Sequence, residues 1–394
     1  MKKVLSILVC LVLLCSAAMA ETVLNGGEQR NIQFFKADDN DMIEGISPTT
    51  GRVLSEVAAS APGSGFTGLA ITGRYMPMLV QISNPEGGIG YTDGKATGNR
   101  APWGVQYSDI IYESPLYKAG DTRLTFVFSD LIPDECGPVR SARLFHAWLR
   151  EEWDAGFLFY GQQEYTATNV PAVFKETGAD KKAGGMLLFS GTVGENHPWK
   201  QYYEDYTRKP LKKPNHVTAN VAAMSTLIPY DFEAANHTWL FSDELPDGGD
   251  TADDIYVTWA KGGEPALCNS IIEWDPDDEC YYRYMLDSKG KEHIYTNLQA
   301  KGVEAEPVTF NNIIVQFTAM DWPRTDAPMP TVTGSGNADY FMGGMHYQGV
   351  WNRDTLSDRT VFYDANGEEI ALQRGRTLVI VMDYQTENRS ISYE

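Results

Sequence analysis

Short apolar runs separated by turn residues recur along the chain, and their spacing predicts β-strands around one longer helix. Pro138 suits the first turn of a helix, and the apolar period that follows predicts this helix over residues 139–152. Strand, helix and strand in this order predict a layered α/β domain with a mixed sheet over residues 71–242. Its strands are predicted from runs of β-branched and aromatic residues at 76–82, 109–113, 123–128 and 156–161.

Beyond residue 252 the pattern consists of short strand-like runs punctuated by turn residues. Asn366 and Gly367 lie between two such runs and form the favoured pair for a tight hairpin turn, and Gly343 with Gly344 marks another hairpin. The sequence therefore predicts a mainly β C-terminal domain with hairpins over residues 252–394. The acidic stretch 242–250, which carries Pro and Gly and has no apolar period, is the predicted domain boundary.

The N-terminal end has the pattern of a secretory signal peptide over residues 1–20. Lys2 and Lys3 precede an apolar run, and small residues lead up to Ala20 as the cleavage site. We expect an extracytoplasmic protein, secreted or associated with the cell envelope; an uncleaved segment that anchors the chain is the alternative. Residues 21–70 are rich in Gly, Ser, Asp and Asn and predict a flexible lead-in.

The charge of the chain narrows the classes of partner. The 53 acidic and 32 basic residues give a net charge of −21, which repels nucleic acid and anionic lipid. No apolar run after the signal peptide is long enough to span a bilayer, so no integral membrane segment is expected after cleavage.

Neither a metal nor a cofactor is predicted. The six histidines lack the spacing of metal ligands, and Gly334 and Gly336 begin a nucleotide fingerprint whose third glycine is replaced by Asp339. Cys268 and Cys280 flank a strand-like run and could close a small loop, which would leave Cys136 unpaired. The sequence leaves the pairing of these cysteines open.

The candidate ligand site lies in residues 137–143. Arg140 and Arg143 are three residues apart, so both would project from one face of the predicted helix near its N-terminus, where negative charge is favoured. Arg123, on a predicted strand, could complete a fork suited to a carboxylate or phosphate. Ser141 lies between the two arginines and is included in the candidate ligand site, although no base at catalytic spacing supports a nucleophile.

Asp109 and Glu113 complete the candidate ligand site. They share one face of a strand because side chains alternate with a period of two. They could orient the arginines toward an external ligand. In the opposing interpretation they pair with the arginines, which then have a purely structural role.

Several of these segments give the chain a resemblance to the YerB-like family of extracytoplasmic bacterial proteins, whose domain is of unknown function. The resemblance starts near Arg74 and covers nearly all of the mature chain. The segments that carry it are 103–113, 120–123, 137–143, 281–283, 311–316, 334–336 and 374–380. It implies an envelope-facing protein of two domains without a known substrate.

From the arginines and this resemblance we expect a binding or scaffold protein. Its partner would be an envelope protein or cell-wall fragment with carboxylate groups, held by Arg123, Arg140 and Arg143. The alternative is a hydrolase or transferase of envelope polymers that uses the same arginines, with an acidic residue such as Glu113 as the base.

Overall fold

The structure is a computed structural model that describes most of the chain. The described residues are 21–84, 90–92, 95–97, 102–205, 216–260, 268–287, 290–297 and 305–394. The predicted signal peptide, residues 1–20, lies outside them.

Strands make up most of the regular structure. In chain order they are β1 (Thr22–Val23), β2 (Met78–Ser83), β3 (Gly90–Thr92), β4 (Lys95–Thr97), β5 (Ile110–Pro115), β6 (Thr122–Phe128), β7 (Gly156–Phe159), β8 (Leu188–Ser190), β9 (Tyr203–Asp205), β10 (Val217–Ala219), β11 (Phe241–Ser242), β12 (Asp250–Thr251), β13 (Asp254–Thr258), β14 (Ser270–Asp275), β15 (Cys280–Leu286), β16 (Glu292–Ile294), β17 (Thr309–Phe310), β18 (Asn312–Thr318), β19 (Met320–Arg324), β20 (Ala327–Pro330), β21 (Gly334–Met342), β22 (Met345–Arg353), β23 (Val361–Tyr363), β24 (Leu372–Gln373), β25 (Thr377–Asp383) and β26 (Ser390–Tyr393).

The helices are few and short. The α-helices are α1 (Leu54–Ala59), α2 (Leu69–Thr72), α3 (Leu144–Trp153), α4 (Val170–Thr177) and α5 (Val221–Ser225), and single 3₁₀ turns lie at Val105–Tyr107, Lys182–Gly185 and Lys200–Tyr202. None of the helices in the described part of the chain has the length and apolar character needed to cross a bilayer.

A large mixed sheet runs through both halves of the chain. Its order is β12-β22-β21-β18-β25-β5-β6-β2-β7-β8, with β23 beside β22. β25, from the C-terminal half, pairs in parallel with β5, from the N-terminal half. The two predicted domains are therefore joined by continuous backbone hydrogen bonding in the centre of this sheet.

Strand alternation places different layers on the two faces of this sheet. Ile110 and Tyr112 of β5 pack in one apolar cluster with Leu144 and Leu149 of α3. Ile111, one residue along, packs in the other cluster, which contains residues of a smaller sheet of order β1-β26-β13-β14-β15-β16, with β17 beside β15. We call these the helix side and the small-sheet side of the large sheet.

Residues 21–70 make more contacts than a flexible lead-in predicts. β1 pairs with β26, and the Arg30 guanidinium binds both oxygens of Asp339 at 2.8 and 2.9 Å. Phe34 stacks on Tyr363 with ring centroids 4.4 Å apart. Residues 22–34 thus run along the C-terminal half and add an edge strand to the small sheet.

The chain is mainly β and contains a mixed sheet. The predicted strands at 76–82, 109–113, 123–128 and 156–161 correspond to β2, β5, β6 and β7, and Gly343 with Gly344 forms the turn between β21 and β22. The turn at Asn366 and Gly367 is also present, where the Asp364 N–H donates to Glu368 O at 2.8 Å. Cys136, Cys268 and Cys280 are all free and buried.

Candidate functional site

The segment 137–143 is extended, so the prediction of a helix beginning at residue 139 is wrong in its start. The Arg140 N–H donates to Gln81 O at 2.8 Å and the Ala142 N–H donates to Gly161 O at 3.0 Å. These backbone donors are used by neighbouring segments and cannot form a helical turn. α3 begins only at Leu144, with Arg143 in extended conformation as its N-cap. Arg140 and Arg143 therefore do not share a helix face.

The three predicted arginines nevertheless lie close together, and we call them the arginine cluster. Arg123 is 2% exposed, and its Nη1 donates to Ser141 O at 2.6 Å. Arg140 and Arg143 are half-buried. Ser141 uses its hydroxyl internally, because Oγ donates to Tyr160 O at 3.0 Å. Ser141 thus holds Arg123 through its backbone rather than through a reactive side chain.

His146 lies at the centre of the arginine cluster. Its Nδ1 accepts a hydrogen bond from the Arg143 N–H at 2.9 Å, which assigns the proton of the neutral ring to Nε2, 3.3 Å from Ser114 Oγ. Burial, and then the positive charges of Arg123 and Arg143, hold the pKa of His146 well below its usual range. The ring is therefore neutral at physiological pH.

The Arg143 guanidinium makes few contacts with the described part of the chain. Its Nη1 donates only to Ala142 O at 3.1 Å, and its buried Nε has no hydrogen-bond partner. Burial lowers the pKa of Arg143, opposed mainly by Tyr117 and Asp326. No carboxylate of the described residues lies within 4.0 Å of its guanidinium.

Asp326, whose negative charge acts on Arg143, already has other partners. Asp326 accepts hydrogen bonds from Arg324 Nε at 3.0 Å and from the Tyr165 hydroxyl at 2.9 Å. An open hollow of about 500 Å³ lies beside this group, lined by Tyr117, Lys118, Ala119, Asp121 and Thr325. Tyr117, Tyr165 and Asp326 were missed by the sequence analysis, because nothing local in the sequence connects a turn near residue 325 with residues 137–143.

Asp109 does not orient the arginines, contrary to the prediction. Its Oδ2 accepts hydrogen bonds from the Ser129 N–H at 2.6 Å, the Asp130 N–H at 3.1 Å and the Thr49 hydroxyl at 3.2 Å. Burial, and then the charge of Asp130, raise the pKa of Asp109 to about 8. Asp109 and Asp130 form a buried carboxylate pair satisfied by hydroxyl groups from the N-terminal segment.

Glu113 is also held away from the arginine cluster. It is 0% exposed and pairs with Arg283 of the small sheet, whose Nη2 lies 2.5 Å from Oε2. Its other oxygen accepts from Asn84 Nδ2 at 3.0 Å and from the Thr122 hydroxyl at 2.6 Å. The interpretation in which Asp109 and Glu113 neutralise the arginines is therefore wrong, as is the one in which they orient them.

The described residues contain no group of three or more His, Cys, Asp or Glu side chains that could hold a metal ion. What the site offers chemically is positive charge in a half-buried setting, with tyrosine hydroxyls nearby. Such a setting strengthens a bond to an anion because solvent screening is reduced.

Comparisons with known proteins match two successive parts of the chain to the two domains of one family. A family model described as the N-terminal domain of "Protein of unknown function (DUF3048)" matches residues 93–218, and the model of its C-terminal domain matches residues 257–379. The crystal structure of the YerB protein from Bacillus subtilis is similar, with a TM-score of 0.60 at 16% identity, over 88% of this chain and 99% of that chain. No curated protein matches. Because the two family models together match more than half of the chain, it belongs to the YerB-like family of proteins of unknown function (DUF3048).

Proposed function

We propose that the protein is an extracytoplasmic binding or scaffold protein of the bacterial envelope that holds a carboxylate-bearing ligand at the arginine cluster. The ligand would be a cell-wall peptide or an acidic segment of an envelope partner. Residues 1–20 would direct the chain out of the cytoplasm as a signal peptide. Residues 71–242 would form a layered α/β domain, because α3 and the strands around β5 share one apolar cluster.

The observation that supports this function best is the state of Arg143. Its guanidinium is half-buried, is bonded only to a carbonyl, and lies beside two more arginines and a neutral histidine. Burying positive charge without an acid costs free energy, which a carboxylate ligand would offset. In a chain of net charge −21, this local concentration of positive charge also gives an acidic ligand one favourable place to bind.

The ligand would bind from the side of Tyr117 and Lys118. The hollow of about 500 Å³ borders this position, and Tyr117 contributes to the field at Arg143. An incoming carboxylate could accept a charge-assisted hydrogen bond from Nη2 of Arg143, which donates to no described residue. Arg140 and Arg123 would add charge without needing direct contact.

The hydrolase alternative has less support from the geometry. Glu113, its proposed base, is 0% exposed and is bonded to Arg283, Asn84 and Thr122. A general base must come within hydrogen-bond reach of the proton it removes, so this carboxylate would need a rearrangement of the core.

The test compares one wall tetrapeptide in its free-acid form and in its fully amidated form by titration calorimetry. The parent should bind the acid form and not the amide, and Arg143→Gln should weaken binding of the acid about 10- to 100-fold, as expected for one charge-assisted pair of 1.5–3 kcal/mol. Arg52→Gln, at an exposed position outside the cluster, is the charge-matched control and should bind like the parent. Equal binding of acid and amide, or unchanged binding by Arg143→Gln, would contradict the proposal.

A further inference from the structure

A second cavity, of about 490 Å³, is lined by none of the residues of the arginine cluster, and we call it the linker cleft. Two hairpin turns and the stretch between the predicted domains enclose it. It is lined by Leu245, Trp274, Glu279, Asn311, Gln373 and Arg374, among others. Its volume falls within the range of about 300–1,000 Å³ that is usual for small-ligand sites.

Unusual backbone brings the walls of the linker cleft together. Gly343 and Gly344 form the β21–β22 turn with positive φ angles of 58° and 73°, and a Cβ on Gly344 would lie 2.7 Å from Trp274 Cδ1. The turn therefore lies directly against the indole ring. Glu279, in the other hairpin, adopts a φ of 50° although it is not glycine. Such strained conformations concentrate at ligand sites.

Trp274 supplies an aromatic wall. Its side chain is half-buried, and Tyr281 packs behind it with ring centroids 4.9 Å apart. The indole Nε1–H has no hydrogen-bond partner among the residues that the structure describes. An indole N–H is a hydrogen-bond donor, so it can donate to a molecule in the cleft.

Polar groups surround this wall on the remaining sides. Gln373 donates through Nε2 to Ser242 O and Glu244 O at 3.1 and 3.3 Å, which fixes its amide and leaves Oε1 as an acceptor. The carboxylate of Glu279 is exposed, and Arg374 is held by Asp243 at 2.6 Å. The cleft thus presents donors and acceptors together beside an apolar ring.

We infer that the linker cleft binds an uncharged pyranose ring of a glycan chain. A sugar ring has an apolar C–H face that packs on an indole and a rim of hydroxyl groups that both donate and accept hydrogen bonds. The two carboxylates of Glu279 and Asp243 outweigh the single guanidinium of Arg374, so the lining has a net negative charge that favours a neutral hexose or N-acetylhexosamine over an anionic ligand. This inference does not depend on the arginine cluster, since the two sites share no residue.

The experiment uses the mature chain labelled with 5-fluorotryptophan and titrated with chitotetraose and, separately, with cellotetraose. Fluorine NMR should show a saturable shift of the Trp274 resonance, assigned from the Trp274→Phe variant, with at least one of the two glycans. The Trp322 resonance, from a half-buried tryptophan outside the cleft, should not move. Calorimetry should show at least about a tenfold loss of affinity in Trp274→Ala.

Two further variants keep the result interpretable. Glu279→Gln changes an exposed side chain and should weaken glycan binding about threefold or more while leaving the fold intact. Tyr230→Ala removes an aromatic ring that lies outside the cleft and is 84% exposed, and this variant should bind like the parent. The inference would be overturned if neither glycan moved the Trp274 resonance at about 10 mM, or if Trp274→Ala kept its affinity within about twofold.

Discussion

Replacing Glu113 by alanine should destabilise the protein far more than breaking any exposed ion pair. Glu113 and Arg283 are 0% and 1% exposed, and their side chains join the large sheet to the small sheet at 2.5 Å. The substitution leaves the Arg283 guanidinium buried without its carboxylate, in a position where Nε and Nη1 already lack hydrogen-bond partners. Tyr295, whose ring centroid lies 5.5 Å from the guanidinium carbon, compensates only part of this charge.

The magnitude follows from the cost of an uncompensated buried charge. Removing one partner of a buried pair costs about 3–5 kcal/mol. Asn84 and Thr122 also lose the acceptor that they share at 3.0 and 2.6 Å, which places the expected loss toward the upper end of that range. Adding Arg283→Met to the Glu113→Ala variant removes the stranded charge, so this double variant should recover at least about 1 kcal/mol.

The measurement is the free energy of unfolding from urea titration, followed by tryptophan fluorescence and by far-ultraviolet circular dichroism. Asp326→Asn is the control, because it breaks a pair whose arginine side chain is 57% exposed, and it should cost less than about 1 kcal/mol. A loss of less than about 1 kcal/mol in Glu113→Ala, or a full additional loss from Arg283→Met, would show that this buried pair does not join the two sheets.

Two further outcomes are expected. Burial, and then the charge of Asp130, raise the pKa of Asp109 to about 8, so the folded protein holds a proton that the unfolded chain releases near pH 3.9. The contribution of this proton to stability is complete below about pH 4 and is lost as the pH rises through 8. The free energy of unfolding of the parent, taken relative to that of Asp109→Asn at each pH, should therefore fall between pH 5 and 8, because the histidines contribute equally to both proteins; a difference that stays constant with pH would contradict this. Gly375→Ala places a methyl group onto Asn311 Oδ1 at a φ of 136°, whereas Gly334→Ala, at a φ of 100°, meets nothing within 4 Å. Gly375→Ala should therefore lower the urea midpoint of unfolding more than Gly334→Ala does, and equal midpoints would contradict a steric cause.

The strands could be predicted from the sequence because their side chains meet two different layers. Runs of apolar, β-branched and aromatic residues are local properties of the sequence, and they locate β2, β5, β6 and β7, which are buried on both faces. The start of α3 could not be predicted in this way. The donors of residues 139–142 bond to segments near residues 81, 161 and 217, and only the folded chain brings these acceptors into place.

The contacts around the arginines could also be predicted only in part from the sequence. That Arg123, Arg140 and Arg143 meet could be predicted, because they are near one another in sequence. The partner of Glu113 could not be predicted, since Arg283 lies 170 residues further along the chain. Asp326 is equally distant from the motif, and a single sequence carries no signal that joins them.

The alternation of side chains along a strand explains why Glu113 does not reach the arginine cluster. Ser114 lies directly opposite Arg123 in the antiparallel pair of β5 and β6, so both point to the helix side, where Ser114 Oγ meets His146. Glu113 is one residue earlier and lies opposite Leu124, so it points to the small-sheet side. No rotamer change brings its carboxylate through the sheet. Positive charge on the helix side must therefore be balanced by groups from other segments or by a ligand, and at Arg143 no carboxylate of the described chain is within ion-pair distance.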